Sequence, residues 1–142
     1  MAGVTFNRKY LYPSDFVEGT TVMSRNQRRI VVNISGLGTD TSDQADIQVI
    51  DKSDLIGPQG AEPSRLEITR MAWDVQGFTA VILEWDDDTD ELIARLTGSN
   101  DVVYPEPIRY SGTTDTGDIL VTTIGGTIND TYNITIWAKL IQ

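Results

Sequence analysis

The chain contains no cysteine and no histidine. Without cysteine there is no disulfide framework, no thiolate metal site and no thiol nucleophile. Without histidine the commonest general base near neutral pH and the commonest zinc ligand are missing, and a Ser-His-Asp triad cannot be assembled within one chain. Enzymatic readings lose most of their weight here, so no residue is assigned a catalytic role and no cofactor is expected. No apolar run approaches the length of a membrane helix. Arg8 and Lys9 stand near the start, but the apolar stretch of a secretory signal does not follow them, so none is expected.

What is present is ordinary globular material. The 142 residues are 39% hydrophobic and 23% charged, enough for one domain with a sizeable core. The formal net charge is −10, which sets the surface against nucleic acid and anionic membrane as partners. The charge is uneven. Residues 1–29 carry Arg8, Lys9, Arg25, Arg28 and Arg29 against Asp15 and Glu18, a balance of +3, leaving −13 for the rest. A mildly basic segment with aromatic anchors at Phe6, Tyr10, Tyr12 and Phe16 therefore precedes an acidic body. Residues 1–27 read as an extended N-terminal arm, either solvated or docked on an acidic partner or a sister copy, and residues 28–142 as the body.

Within the body the dominant period is two. Tyr132, Ile134, Ile136, Ala138 and Leu140 share one face of a C-terminal strand, with Asn133, Thr135, Trp137, Lys139 and Ile141 on the other. The preceding Ile119–Thr123 run and the Gly125-Gly126 linker predict a C-terminal β-hairpin. Arg28 to Ser35 alternates in the same way and ends at Gly36-Leu37-Gly38, a fragment of a dinucleotide loop that lacks the third glycine and the following helix. Ile47, Val49 and Ile50 predict a short strand. Leu66 and Ile68 alternate, then the apolar phase slips by one to Met71, Trp73 and Val75, which predicts a β-bulge near Thr69-Arg70. Phe78–Trp85 and Glu91–Leu96 continue as a meander around an Asp-rich turn. Residues 97–117, with Pro105 and Pro107, read as a long connection holding a short strand at Val102-Val103-Tyr104. Eight or nine strands and no helix predict an all-β, single-domain, jelly-roll-like β-sandwich with an N-terminal arm.

Three constellations invite chemistry. Asp86, Asp88 and Asp90 have the spacing of a calcium loop, but Glu91 and Thr97 stand where that loop needs Gly and Glu. A solvated hairpin tip is the plainer reading, and no metal site is assigned. Glu84 and Asp86 would share a strand face as a glycosidase pair does, with no cleft evident. Trp73, Trp85 and Trp137 could stack on sugar, though Trp73 and Trp85 fall in phase with core residues. Trp137 lies on a polar face and is the best aromatic candidate for an interface.

Three segments resemble one family. Trp73-Asp74-Val75-Gln76-Gly77-Phe78-Thr79-Ala80-Val81-Ile82-Leu83-Glu84-Trp85-Asp86, Gly117-Asp118-Ile119-Leu120-Val121-Thr122-Thr123 and Thr131-Tyr132-Asn133-Ile134-Thr135-Ile136-Trp137-Ala138-Lys139 are similar to motifs of small virion structural proteins of tailed bacteriophages, of the head-decoration or cement kind. The resemblance covers about residues 66–141 and carries no catalytic residues. It implies a β-sandwich on the capsid surface that binds assembled major capsid protein and stabilises the shell. A carbohydrate-binding sandwich of a tail or fibre is the alternative. The interface candidates are Arg8, Lys9, Tyr10, Tyr12, Arg25, Arg28, Arg29, Trp137 and Ile141. Apolar groups on the polar face of the last strand also predict self-association, and the resemblance implies a trimer ahead of a dimer.

Overall fold

In a computed structural model the chain is described over residues 4–12, 28–40, 43–109 and 118–141. Nine strands run through these residues: β1 (Val4–Tyr12), β2 (Arg29–Gly38), β3 (Ile47–Ile50), β4 (Arg65–Gln76), β5 (Ala80–Trp85), β6 (Glu91–Leu96), β7 (Ser99–Ile108), β8 (Ile119–Ile124) and β9 (Thr131–Ile141). The only helical element among the described residues is a single 3-10 turn, Lys52–Asp54, capped by the Asp51 carboxylate. Among the described residues no helix is long and apolar enough to cross a membrane.

The strands form two antiparallel sheets, one in the order β1-β2-β9-β4-β7 and one in the order β3-β8-β5-β6. Their facing sides enclose the core, so the chain is an all-β sandwich. β9 alternates as its sequence predicts, burying Tyr132, Ile134, Ile136, Ala138 and Leu140. Ile30, Val32 and Ile34 of β2 and Val81, Leu83 and Trp85 of β5 meet them, with Trp85 only 1% exposed. The pairing is nested. β2 pairs with β9, β3 with β8, β4 with β7 and β5 with β6, while β9–β4 and β8–β5 join these pairs into sheets. The predicted bulge is present: both pairings of β4 shift register between Ile68 and Arg70.

Four local expectations are corrected. β8 and β9 are not a hairpin but lie in different sheets, and residues 125–130 carry the chain across. Asp43 clamps that crossing, accepting from the backbone N–H groups of Gly125 and Gly126 at 3.1 and 2.8 Å and from the Thr123 hydroxyl at 3.0 Å. The meander is broken likewise, since β4 belongs to one sheet and β5–β6 to the other. Gly77, at φ +91°, turns between them, and a side chain there would strike Asp130. Where the sequence predicts a short strand at Val102-Val103-Tyr104, β7 is a ten-residue strand, Ser99–Ile108, and its prolines are tolerated because it is an edge; residues 110–117 of the expected connection lie outside the described residues. The strand after Arg28 runs through Gly38, so Gly36-Leu37-Gly38 is strand and not the plain loop expected at its end. Gly36 is needed because a Cβ would overlap the Tyr132 ring.

Of the N-terminal segment, Val4–Tyr12 pairs along β2 as the edge of the larger sheet. Arg8 points inward and donates from Nη1 to the Val49 carbonyl at 2.9 Å, tying the edges of the two sheets together.

Tyr132 closes one end of the core. Its hydroxyl donates to Gln44 Oε1 at 2.9 Å in a buried bond, and Phe78 tilts against its ring at 5.9 Å between centroids. Burial pushes the phenol above its ordinary value of 10.0, and the bond to Gln44 pulls the other way without cancelling it. Tyr132→Phe leaves Gln44 Oε1 buried without this partner, so urea unfolding at neutral pH should show a loss of about 1–3 kcal/mol. Above pH about 10 the unfolded chain releases the phenol proton while the folded chain keeps it. The contribution of Tyr132 is thus complete below that value and declines as pH rises. The gap between wild type and variant should narrow toward pH about 11; a constant gap would show that the phenol is not held protonated by the fold.

Candidate functional site

The outward side of the five-stranded sheet carries the most distinctive surface. Strict alternation brings one residue from each strand into a lateral row: Tyr12 opposite Val31, Val31 opposite Trp137, Trp137 opposite Arg70, and Arg70 opposite Val103. Cross-strand neighbours at this spacing touch. Tyr12 is 42% and Val103 66% exposed, so the row is an aromatic and aliphatic band open to solvent at both ends. On one side runs the row Arg29, Lys139 and Glu67. On the other runs Lys9, Asn33, Thr135, Ala72 and Asp101.

The cations of this face are held in place. The Arg70 guanidinium lies 4.3 Å from the centre of the Trp137 indole. Its Nε and Nη2 donate to the two Asp101 oxygens at 2.9 and 2.7 Å, a planar fork that fixes the stack. Arg29 lies 4.9 Å from the centre of the Tyr12 ring. Glu67, only 7% exposed, takes Arg65 at 3.0 Å and Arg109 at 3.8 Å.

The bulge shapes the surface as well as the strand. β4 meets Ile108 at Ile68 and Val103 at Arg70, so residues 104–107 arch away from β4. A shallow hollow of about 480 Å³ opens there, lined by Arg29, Arg70, Tyr104, Pro105, Trp137 and Lys139 among others. A second hollow of about 520 Å³ adjoins it through Arg29 and Lys139 and adds Arg28 and Ile141.

Five of the interface candidates read from sequence therefore converge: Tyr12, Arg28, Arg29, Trp137 and Ile141. Lys9 sits on the same sheet face one row away. Arg8 faces the inner side, and Tyr10, 6% exposed, is part of the core. Arg25 lies outside the described residues. Arg70, Lys139, Asp101, Tyr104 and Pro105 were not among the candidates. The bulge predicted at Thr69-Arg70 marked the right place, but not the direction in which Arg70 points.

The acidic residues lie elsewhere. Asp86, Asp88 and Asp90 do not gather into one site. Asp90 instead joins Asp46 and Glu84, with carboxylate oxygens within 4.8 Å of one another. Burial first, then the charges of Asp46 and Asp90, raise the Glu84 carboxyl above its ordinary value. These three could hold a cation, and an acidic rim without one has the same make-up. Asp86 lies past the end of β5 and donates its N–H to the Asp118 carbonyl. The tryptophans share no platform: Trp85 is in the core and Trp73 donates its indole N–H to the Thr97 carbonyl, leaving Trp137 on the outward face.

Comparison with family models, curated proteins and solved structures finds no match to this chain.

The Arg70–Asp101 fork can be tested by titration. Hydrogen bonding from Arg70, then its charge, holds the Asp101 carboxyl below its ordinary 3.8. The pair is intact above that value and is lost only as pH falls through the lowered one. An NMR titration of side-chain carboxyls should find Asp101 depressed in the wild type and back near the ordinary value in Arg70→Met. Identical titration in both proteins would remove the fork from solution.

Proposed function

We propose that the chain is a phage virion structural protein that decorates and stabilises the capsid shell, binding assembled major capsid protein, and that it assembles through the outward face of its five-stranded sheet. The observation that carries this reading is the lateral row from Tyr12 to Val103 with its locked cations. A broad, rigid face of apolar groups between fixed charges suits side-by-side protein contact. Each such contact is modest, and a shell that presents many copies makes modest contacts sufficient.

Two further features support the reading. The three segments that resemble head-decoration proteins include the β4–β5 corner and most of β8 and β9, which hold central places in the two sheets. The nested pairing of β2 with β9, β3 with β8, β4 with β7 and β5 with β6 speaks for a jelly-roll winding, an architecture common in capsid and lectin domains. The second reading, a carbohydrate-binding module of a tail or fibre, draws on the partly exposed Trp137 in its hollow. It is weaker because the Arg70 guanidinium already covers a face of that indole.

On this proposal the protein sediments with intact heads of the phage that encodes it. Heads lacking it should release DNA at a lower temperature, and adding back the purified protein should restore resistance. Recovery from tails alone, or absence from virions, would refute the shell reading. In the tail case, binding of host polysaccharide lost in Trp137→Ala would favour the sugar module.

A further inference from the structure

The hollow beside Trp137 gathers Arg29, Arg70 and Lys139, with Arg28 in the adjoining hollow, on a chain whose net charge is −10. Two of these guanidinium groups are stacked on aromatic rings and one is also gripped by a carboxylate. Such groups lose little side-chain freedom when an anion arrives, which lowers the cost of docking. Arg70 offers Asp101 only Nε and one hydrogen of Nη2, so Nη1 remains to meet a second acceptor.

The same chain carries a matching projection. The β5–β6 hairpin turns through Asp86, Asp87, Asp88, Thr89 and Asp90 and re-enters a strand at Glu91, five acidic residues in six positions. The backbone N–H of Asp88 is held by the Asp87 carboxylate at 2.8 Å and that of Asp87 by Asp90 at 3.0 Å, so the tip has a defined shape. Asp88 and Thr89 at its apex are exposed. The tip belongs to the four-stranded sheet and points along its strands, while the hollow opens outward from the five-stranded sheet. One molecule therefore presents the two surfaces in different directions.

We propose that the hollow is the docking site for the Asp86–Glu91 hairpin tip of a second copy of this chain. Asp88, exposed at the apex, leads the acidic tip toward Arg29, Arg70 and Lys139, and Trp137 and Pro105 form the apolar floor. Because two different surfaces mate, the contact is head-to-tail and each subunit both gives a tip and receives one. A ring forms where the rotation closes. This contact depends only on surfaces of the chain itself and holds whether or not the assembled protein sits on a shell.

Charge reversal tests it. Light scattering and sedimentation of the purified full chain should show an oligomer that dissociates as salt rises. Arg29→Glu with Lys139→Glu turns two cations of the hollow acidic, and Asp87→Lys with Asp88→Lys turns the apex of the tip basic. Each pair alone sets like charges together and should weaken association on the order of 100-fold or more. All four substitutions in one chain restore opposite charges between the apex and positions 29 and 139, so the oligomer should return. Near-UV circular dichroism confirms folding, and if the fourfold variant misfolds, Lys139→Glu with Asp88→Lys serves in its place. A monomeric wild type at the highest attainable concentration would overturn the proposal. So would an oligomer indifferent to either reversal, or a folded combined variant that stays monomeric. Heads that bind the protein normally while it remains monomeric would sink this contact and leave the shell reading standing.

Discussion

The register of β9 is the constraint on which the rest of the molecule depends. It pairs with β2 on one side and β4 on the other along nearly its whole length. Successive side chains point to opposite faces, so a slip of one residue would bury Trp137 and Lys139 and expose Ile134 and Ile136. The core and the outward band are thus two readouts of one alignment. Burial of five apolar side chains from this single strand holds the register, and the outward face is specified by the same energy that folds the sheet.

Two irregularities then turn a flat sheet into a surface with relief. The bulge between Ile68 and Arg70 resets the phase of β4, so Met71 and Val75 still reach the core while Arg70 comes to stand over the indole. Opposite it, β7 arches away between Val103 and Ile108 and leaves space that a regular ladder would close. On the other edge, the shift between Tyr10 and Tyr12 sends one tyrosine into the core and the next outward beneath Arg29. Bulges commonly re-aim side chains near functional sites.

The strands were legible because period two is written residue by residue, as in Ile30-Val32-Ile34 and in β9. The bulge was legible because it breaks that period by one. Sheet membership was not legible. The glycines after Ile124 permit a hairpin, and the choice against it is made by Asp43 and Gln44, 83 and 88 positions from the groups they bind. β7 was hidden because Pro105 and Pro107 read as breakers, and only its place at an edge makes them acceptable. The outward face of the larger sheet was half visible. Tyr12, Arg29 and Trp137 stood out as aromatics and cations in polar phase, whereas Arg70 needed the three-dimensional sense of the bulge, and Tyr10 looked like Tyr12 until its strand was placed.

The two prolines of β7 have a further effect on how the protein can associate. An exposed strand edge with free amides is a template for another strand, and the ladders it seeds are hard to undo. Pro105 and Pro107 supply no amide hydrogen, and they stand where the strand already leaves its neighbour. A copied strand arriving at this edge would find gaps in place of a ladder. At this edge, then, growth by added strands is disfavoured, and any contact made here falls to side chains, whose bonds salt and pH can tune.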